Sequence, residues 1–118
     1  MQTLKLVNDL FGGLSNGSKR CTIRAGRRDV QIGPLLFEST DAIYGLNSYG
    51  LQDGEFLTQK VFVTEIRYTM FGLLTDEIAR LDGANSAEEL KRAMYRFYPH
   101  LIASDEITIV FFDVMEEE

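Results

Sequence analysis

Five of the twelve basic residues, Lys19, Arg20, Arg24, Arg27 and Arg28, fall within ten consecutive positions. Such a cluster could contact the phosphate backbone of a nucleic acid, and it reads equally well as a solvated loop and strand edge. A nucleic-acid patch also needs aromatic faces for base stacking. Tyr44, Tyr49 and Phe56, in the glycine-rich stretch that follows, are the candidates, with ordinary packing as the competing explanation. Cys21 alternates with Ile23 on what should be an inward side, so it reads as an inert buried thiol rather than a nucleophile. His100 follows Pro99 with no carboxylate or cysteine at ligand spacing, so no metal site is expected. Taken alone, Thr22 is a strand residue chosen for β propensity and Asp82 a turn residue before Gly83.

The whole chain narrows the classes of function. It has 118 residues, 45% of them hydrophobic and 25% charged, which fits one domain over residues 1–118. A chain of this length buries roughly 65% of its unfolded surface, enough for a real core but not for a deep cleft around a large cofactor. No cofactor is expected, and neither GxxxxGKS nor GxGxxG occurs to hold nucleotide phosphates. A single cysteine excludes an internal disulfide and fits a reducing, cytoplasmic compartment. The first residues contain no long apolar run and no segment could span a bilayer, so neither secretion nor a membrane partner is expected. A net charge of −6 opposes nonspecific adhesion to nucleic acid, so the basic cluster would be one positive surface on an acidic body. Glu116-Glu117-Glu118 reads as a frayed, solubilising tail.

The elements that must position these residues follow from periodicity. Val7, Leu10, Phe11 and Leu14 mark one face of a short helix, weakened by Gly12-Gly13 and ended by Asn16-Gly17. Arg20 to Arg24 alternates as a strand with one buried face, Cys21 and Ile23 lying opposite Arg20, Thr22 and Arg24. Leu35 to Ser39 is a second strand. Gln59 to Phe71 is a long strand, twisted or bulged, with Phe62, Ile66, Tyr68 and Met70 alternating with Val61, Val63, Glu65 and Arg67. Thr75 caps a helix that stops near Gly83. Ser86-Ala87-Glu88-Glu89 is a capping box opening a helix with Leu90, Met94 and Phe97 as its stripe, ended by Tyr98-Pro99. Glu106 to Met115 is apolar on both faces, as a central strand or barrel stave is. The order predicts an α+β fold: a small, mostly antiparallel sheet or barrel flanked by three short helices. The segment Glu38 to Phe56, with Asp41, Asn47, Tyr49 and Asp53, matches no recognised pattern and has room for a functional loop or partner site.

Three stretches carry a resemblance. Gly17-Ser18-Lys19-Arg20-Cys21-Thr22-Ile23-Arg24 looks like a G-x-K-x-x-T-I-R segment, Leu74-Thr75-Asp76-Glu77-Ile78-Ala79 like an LT-acid-x-x-A helix start, and Ser86 through Tyr98-Pro99 like the paired helix after it. In that order and spacing they resemble the ASCH domain family of the PUA-like superfamily, over nearly the whole chain. The resemblance implies a small β-barrel with a cleft facing RNA, nucleosides or nucleotides. Some bacterial members are amidohydrolases that remove acetyl from acetylcytidine, one is a ribonuclease, and others only bind nucleic acid, so fold does not settle activity.

In the amidohydrolases a lysine and a threonine of the first block act with a glutamate from the paired-helix region. Lys19 and Thr22 match the first two, and Asp82 falls at the glutamate, one methylene shorter. The resemblance thus implies Thr22 as nucleophile, Lys19 as base and Asp82 as carboxylate helper, with Arg20, Arg24, Arg27, Arg28 and Tyr49 binding substrate or RNA. On a regular strand Lys19 and Thr22 would face opposite ways, so Lys19 must lie in the turn before the strand, which Gly17 permits, or a bulge must intervene. The alternatives are a ribonuclease-type member and a non-catalytic module that holds a protein partner on the barrel.

Overall fold

The computed structural model describes residues 1–7, 10–40 and 57–115. The predicted stacking aromatics Tyr44, Tyr49 and Phe56, the polar positions Asp41, Asn47 and Asp53, and the tail Glu116 to Glu118 lie outside the described residues. Five strands, β1 (Gln2–Leu6), β2 (Cys21–Ala25), β3 (Gly33–Ser39), β4 (Thr58–Met70) and β5 (Glu106–Val114), form one sheet in the order β1-β3-β4-β5-β2. Three helices accompany it: α1 (Phe11–Ser15), α2 (Asp76–Asp82) and α3 (Ala87–Met94). Of the four strand pairings three are antiparallel, and β1 with β3 is parallel, so the sheet is a mixed half-barrel with β1 and β2 at its edges.

The sheet separates two apolar cores, and β5 feeds both. Val110 and Phe112 join Leu35, Phe37, Val61, Val63, Phe11 and Leu14 on one face. Ile107 and Ile109 join Cys21, Ile23, Ala79, Leu90 and Met94 on the other, beneath α2 and α3. That double burial is why β5 is apolar at nearly every position and sits between β4 and β2.

The caps are where the residue types place them. The Thr75 side chain accepts from the Ile78 N–H, and Gly83 ends α2 in the left-handed conformation at φ 100°. The Ser86 hydroxyl accepts from the Glu89 N–H, while the Glu89 carboxylate reaches back to the N–H of Asn85.

Five features differ from the sequence reading. The strand β1 was not anticipated, although Leu4 and Leu6 point inward between the exposed Thr3 and Lys5. The first α-helix begins at Phe11, so Val7 and Leu10 precede it, the Leu10 N–H donating to the Val7 carbonyl at 3.0 Å. In β4 the expected bulge is present, the register shifting between Val63 and Glu65 and leaving Thr64 as an extra residue, and what differs is the faces. Parity therefore flips: Val61 and Val63 share a core with Ile66, whereas Phe62 faces the other way and is 42% exposed. Finally, β2 is buried on both faces, because Cys21 and Ile23 lie under the helices and Thr22 is covered on the opposite side. Beyond α3, Phe97 is 48% exposed rather than part of the apolar stripe.

Two tests follow. Burial pushes the Cys21 thiol up to about 12, so in the folded protein it should resist a disulfide exchange reagent at pH 8 and react fully only in denaturant. Rapid labelling without denaturant would show that the α2–β2 packing is wrong. A Cβ on Gly72 would stand 2.8 Å from the Ala103 Cβ and 3.1 Å from its carbonyl oxygen, so Gly72→Ala should destabilise by about 1–3 kcal/mol in a thermal melt. An unchanged Tm would contradict the close approach of the 3-10 turn Phe71–Leu73 to that segment.

Candidate functional site

The site begins with the segment that leads into β2. After α1 the chain turns at Gly17, with φ 79°, and the Asn16 side chain accepts the Ser18 N–H at 2.9 Å. Lys19 N–H then donates to the Gly13 carbonyl at 3.0 Å, and Arg20 N–H donates to the Leu81 carbonyl. Gly13 lets this happen, since a Cβ there would approach the Lys19 Cβ to 3.1 Å. The lead-in to β2 is thus clamped between α1 and the end of α2. Lys19 lies in that lead-in, two residues before the strand, and so escapes the alternation that would separate it from Thr22.

The clamp brings Lys19 Nζ to 2.6 Å from Asp82 Oδ1 and 3.4 Å from the Asp82 carbonyl. The lysine side chain is 3% exposed and the aspartate 18%, so both charges have lost most of their water. Burial pushes the Asp82 carboxyl above the ordinary carboxylate range, and the Lys19 and Arg24 charges pull it only partly back. The shorter side chain reaches because the Arg20–Leu81 hydrogen bond draws the end of α2 onto β2.

Thr22 and Arg24 pair across the ladder with Val110 and Thr108. Together with Lys5, Lys19, Asp82 and Tyr98 they line a cavity of about 230 Å³ bordered by both edge strands and the C-terminal end of α3. Arg24 is the anomaly in it. Its Nε and Nη2 are buried without an acceptor among the described residues, and burial lowers its pKa from the usual arginine value. A buried guanidinium nitrogen without a partner costs more than a neutral donor would, so an acceptor that met these two nitrogens would be strongly favoured.

Lys19, Thr22, Arg24 and Asp82, read from the sequence as site residues, therefore share one cavity. The basic cluster does not act as a unit. Arg28 reaches the cavity rim through the Tyr98 hydroxyl at 3.5 Å, whereas Arg27 is paired with Glu106 at 3.1 Å and lies 3.8 Å over the Tyr68 ring. Neither Arg27 nor the exposed Arg20 lines the cavity. Tyr49 lies outside the described residues. Lys5, Arg96, Phe97 and Tyr98 do line it and were not anticipated. Basic-aromatic interleaving in Arg96-Phe97-Tyr98 was the available signal, read instead as the end of a helix stripe. Among the described residues no three His, Cys, Asp or Glu side chains gather to hold a metal, and no helix is long and apolar enough to cross a membrane.

No family model and no curated protein matches the sequence. Solved structures do match the fold. An ASCH domain from Lactobacillus crispatus JV V101 superposes with a TM-score of 0.68 at 14% identity, over 96% of this chain and 79% of that one. Protein EF3133 from Enterococcus faecalis V583, of the DUF984 family, gives 0.66 at 13% identity over 92% and 68%. The hypothetical protein PH0355 gives 0.64 at 16% identity over 97% and 98%. The likeness shows that this chain has an ASCH-domain-like fold.

Proposed function

We propose that the cavity takes a single nucleobase, in a modified nucleoside or in RNA, and that Lys19, Thr22 and Asp82 hydrolyse an acetyl amide on its exocyclic nitrogen. The observation that carries the binding reading is Arg24, whose buried Nε and Nη2 meet no acceptor among the described residues while its side chain lines the cavity. A base presents carbonyl and ring-nitrogen acceptors on one edge, which suits a two-donor guanidinium fork. A volume of about 230 Å³ lies below the roughly 300 Å³ where drug-sized ligand pockets begin, so it fits one base or nucleoside and no larger group.

The amide chemistry draws on the pair beside it. Threonine becomes a nucleophile only when a base removes its proton, and an ammonium cannot do that. The 2.6 Å Lys19–Asp82 bond offers a route. A carboxyl raised by burial can accept the lysine proton, leaving an amine that takes the Thr22 proton as Oγ attacks the acetyl carbonyl carbon. The carbonyl π electrons move to oxygen. On collapse the C–N bond breaks and the departing base nitrogen takes a proton back from Lys19. Water then cleaves the threonine ester to acetate and restores the hydroxyl.

Purified protein incubated with acetylcytidine should release cytidine, followed by chromatography. Lys19→Ala and Thr22→Ala should each lose about a hundredfold or more while keeping the native circular dichroism spectrum. Arg24→Ala should raise KM more than it lowers kcat, because its role is to bind the base. Full turnover in folded Lys19→Ala and Thr22→Ala would remove both from the chemistry. Nucleoside binding without turnover would leave a binding domain, and neither binding nor turnover would redirect attention to a protein partner.

A further inference from the structure

We infer that the unpaired edge of β4, from Ile66 to Met70, docks an extended segment of a partner polypeptide that presents apolar and basic side chains toward α2. Pairing between β3 and β4 ends at Gly33 and Val63, yet β4 continues to Met70 with β5 on one side only. Gly33, at φ 124°, turns the preceding chain off the edge. Gln31 instead exchanges both its main-chain N–H and its C=O with the Gln2 side chain on β1.

The ladder decides which groups are left over. In an antiparallel pair successive residues turn their N–H and C=O to opposite sides. The Phe71 N–H donates to the Asp105 carbonyl at 2.9 Å where the β4–β5 ladder ends, so Arg67 and Thr69 share that side, and Ile66, Tyr68 and Met70 turn outward. Among the described residues nothing hydrogen-bonds to those outward main-chain groups. The stretch holds neither proline nor lysine, which commonly guard an edge, and its two charges, Glu65 and Arg67, are bonded to each other. Tyr68 and Met70 are exposed beside it. A row of alternating donors and acceptors is matched by another extended backbone.

The surface next to the edge selects the side chains. Arg67 and Thr69 stand opposite Ile109 and Ile107, on the face that α2 covers, where a groove of about 590 Å³ lies between α2 and β4. Leu73, Leu74, Ile78, Leu81, Ile109 and Phe111 supply its apolar surface. Every second side chain of an added strand would stand on this face, beside Arg67 and Thr69. Charge sets the sign. Arg67 is bonded to Glu65 and lies 4.7 Å over the Phe111 ring, whereas Glu77 in the groove wall makes no ion pair among the described residues and acts on Arg67 only at longer range. Two carboxylates thus face one guanidinium on a chain of net charge −6, so a lysine or arginine of the added strand is favoured over an acid.

The probe is the capped peptide Thr-Leu-Val-Lys-Val-Leu-Thr, titrated into the 118-residue protein and followed by amide NMR and hydrogen exchange. In the free protein the amides of Ile66, Tyr68 and Met70 should exchange fast and those of Arg67 and Thr69 slowly. Saturating peptide should slow the first three by about tenfold or more and shift Leu73 and Ile78, with Lys19, Thr22 and Arg24 unmoved. Met70→Pro removes an outward N–H without breaking a β4–β5 bond; with its native circular dichroism spectrum retained, it should bind the peptide about tenfold more weakly. Glutamate in place of the peptide's lysine should weaken binding about two- to fivefold, and Glu77→Lys should reverse that preference. Slow exchange at Ile66, Tyr68 and Met70 without peptide would show the edge already covered, and shifts there that grow with protein concentration alone would assign it to a second copy of the chain; either overturns the proposal. So does a peptide that leaves those amides unchanged at about 1 mM, or one that binds folded Met70→Pro equally well. Turnover of acetylcytidine is a separate readout and stands or falls on its own.

Discussion

The contact on which the site depends is the hydrogen-bonded ion pair between Lys19 and Asp82, 63 positions apart and almost withdrawn from water. Desolvating two charges costs several kcal/mol per ion, and a pair in this environment returns little more than that cost. Its value is geometrical. It fixes where the end of α2 stands relative to β2, and every other lining group from those elements takes its position from that alignment. Two main-chain hydrogen bonds on either side of the lysine, to Gly13 and to Leu81, hold it so that the ammonium has nowhere else to go. Stability must therefore come from elsewhere, and the two apolar cores on opposite faces of the sheet supply it.

An open sheet is what leaves a site there at all. Among the described residues β1 and β2 are the edges of the sheet and do not pair with each other, and the cavity is bordered by both. Edge strands are ordinarily a liability because their polar backbone invites pairing. Here α1 and the segment after α3 crowd the edges, with Leu10, Phe97 and Tyr98 against the same cavity. The parallel β1–β3 pair adds a further consequence, since it carries Lys5 to a cavity that also takes in residues as distant in sequence as Arg96 and Tyr98.

What could be read from the sequence was whatever local chemistry decides. Thr75, Ser86 and Gly83 sit at caps because a hydroxyl or a left-handed glycine meets a helix-end requirement wherever the helix lies. The doubly apolar β5 announced a central position for the same reason. Long-range geometry was less visible. The residue-level pattern of β4 could not reveal which position was extra, so one inserted residue at Thr64 exchanged the faces of everything after it. In β1, five residues were too few to separate a strand from an unstructured start, although the alternation was present. Lys5 went unread because nothing local distinguishes a lysine beside a cavity from one in open solvent, whereas for Arg96 the only local signal was its place before two aromatics.

The basic cluster shows why charge density along a sequence is a poor guide to charge density in space. On either side of β2 the chain turns, so neighbours diverge: Arg20 faces solvent, Arg27 is neutralised by Glu106, and only Lys19 and Arg24 enter the cavity. The field at the site is instead assembled from distant segments, with Lys5 and Arg96 adding to those two. Assembly of this kind also reconciles an acidic chain with a cavity lined by basic side chains. In physiological salt the repulsion between the −6 body and a polyanion is largely screened beyond about 8–10 Å. Inside that distance the local cations dominate, and screening by solvent is weakest at Arg24 because its donors are buried. A group therefore has to come close to the cavity before it gains from the positive charges that line it.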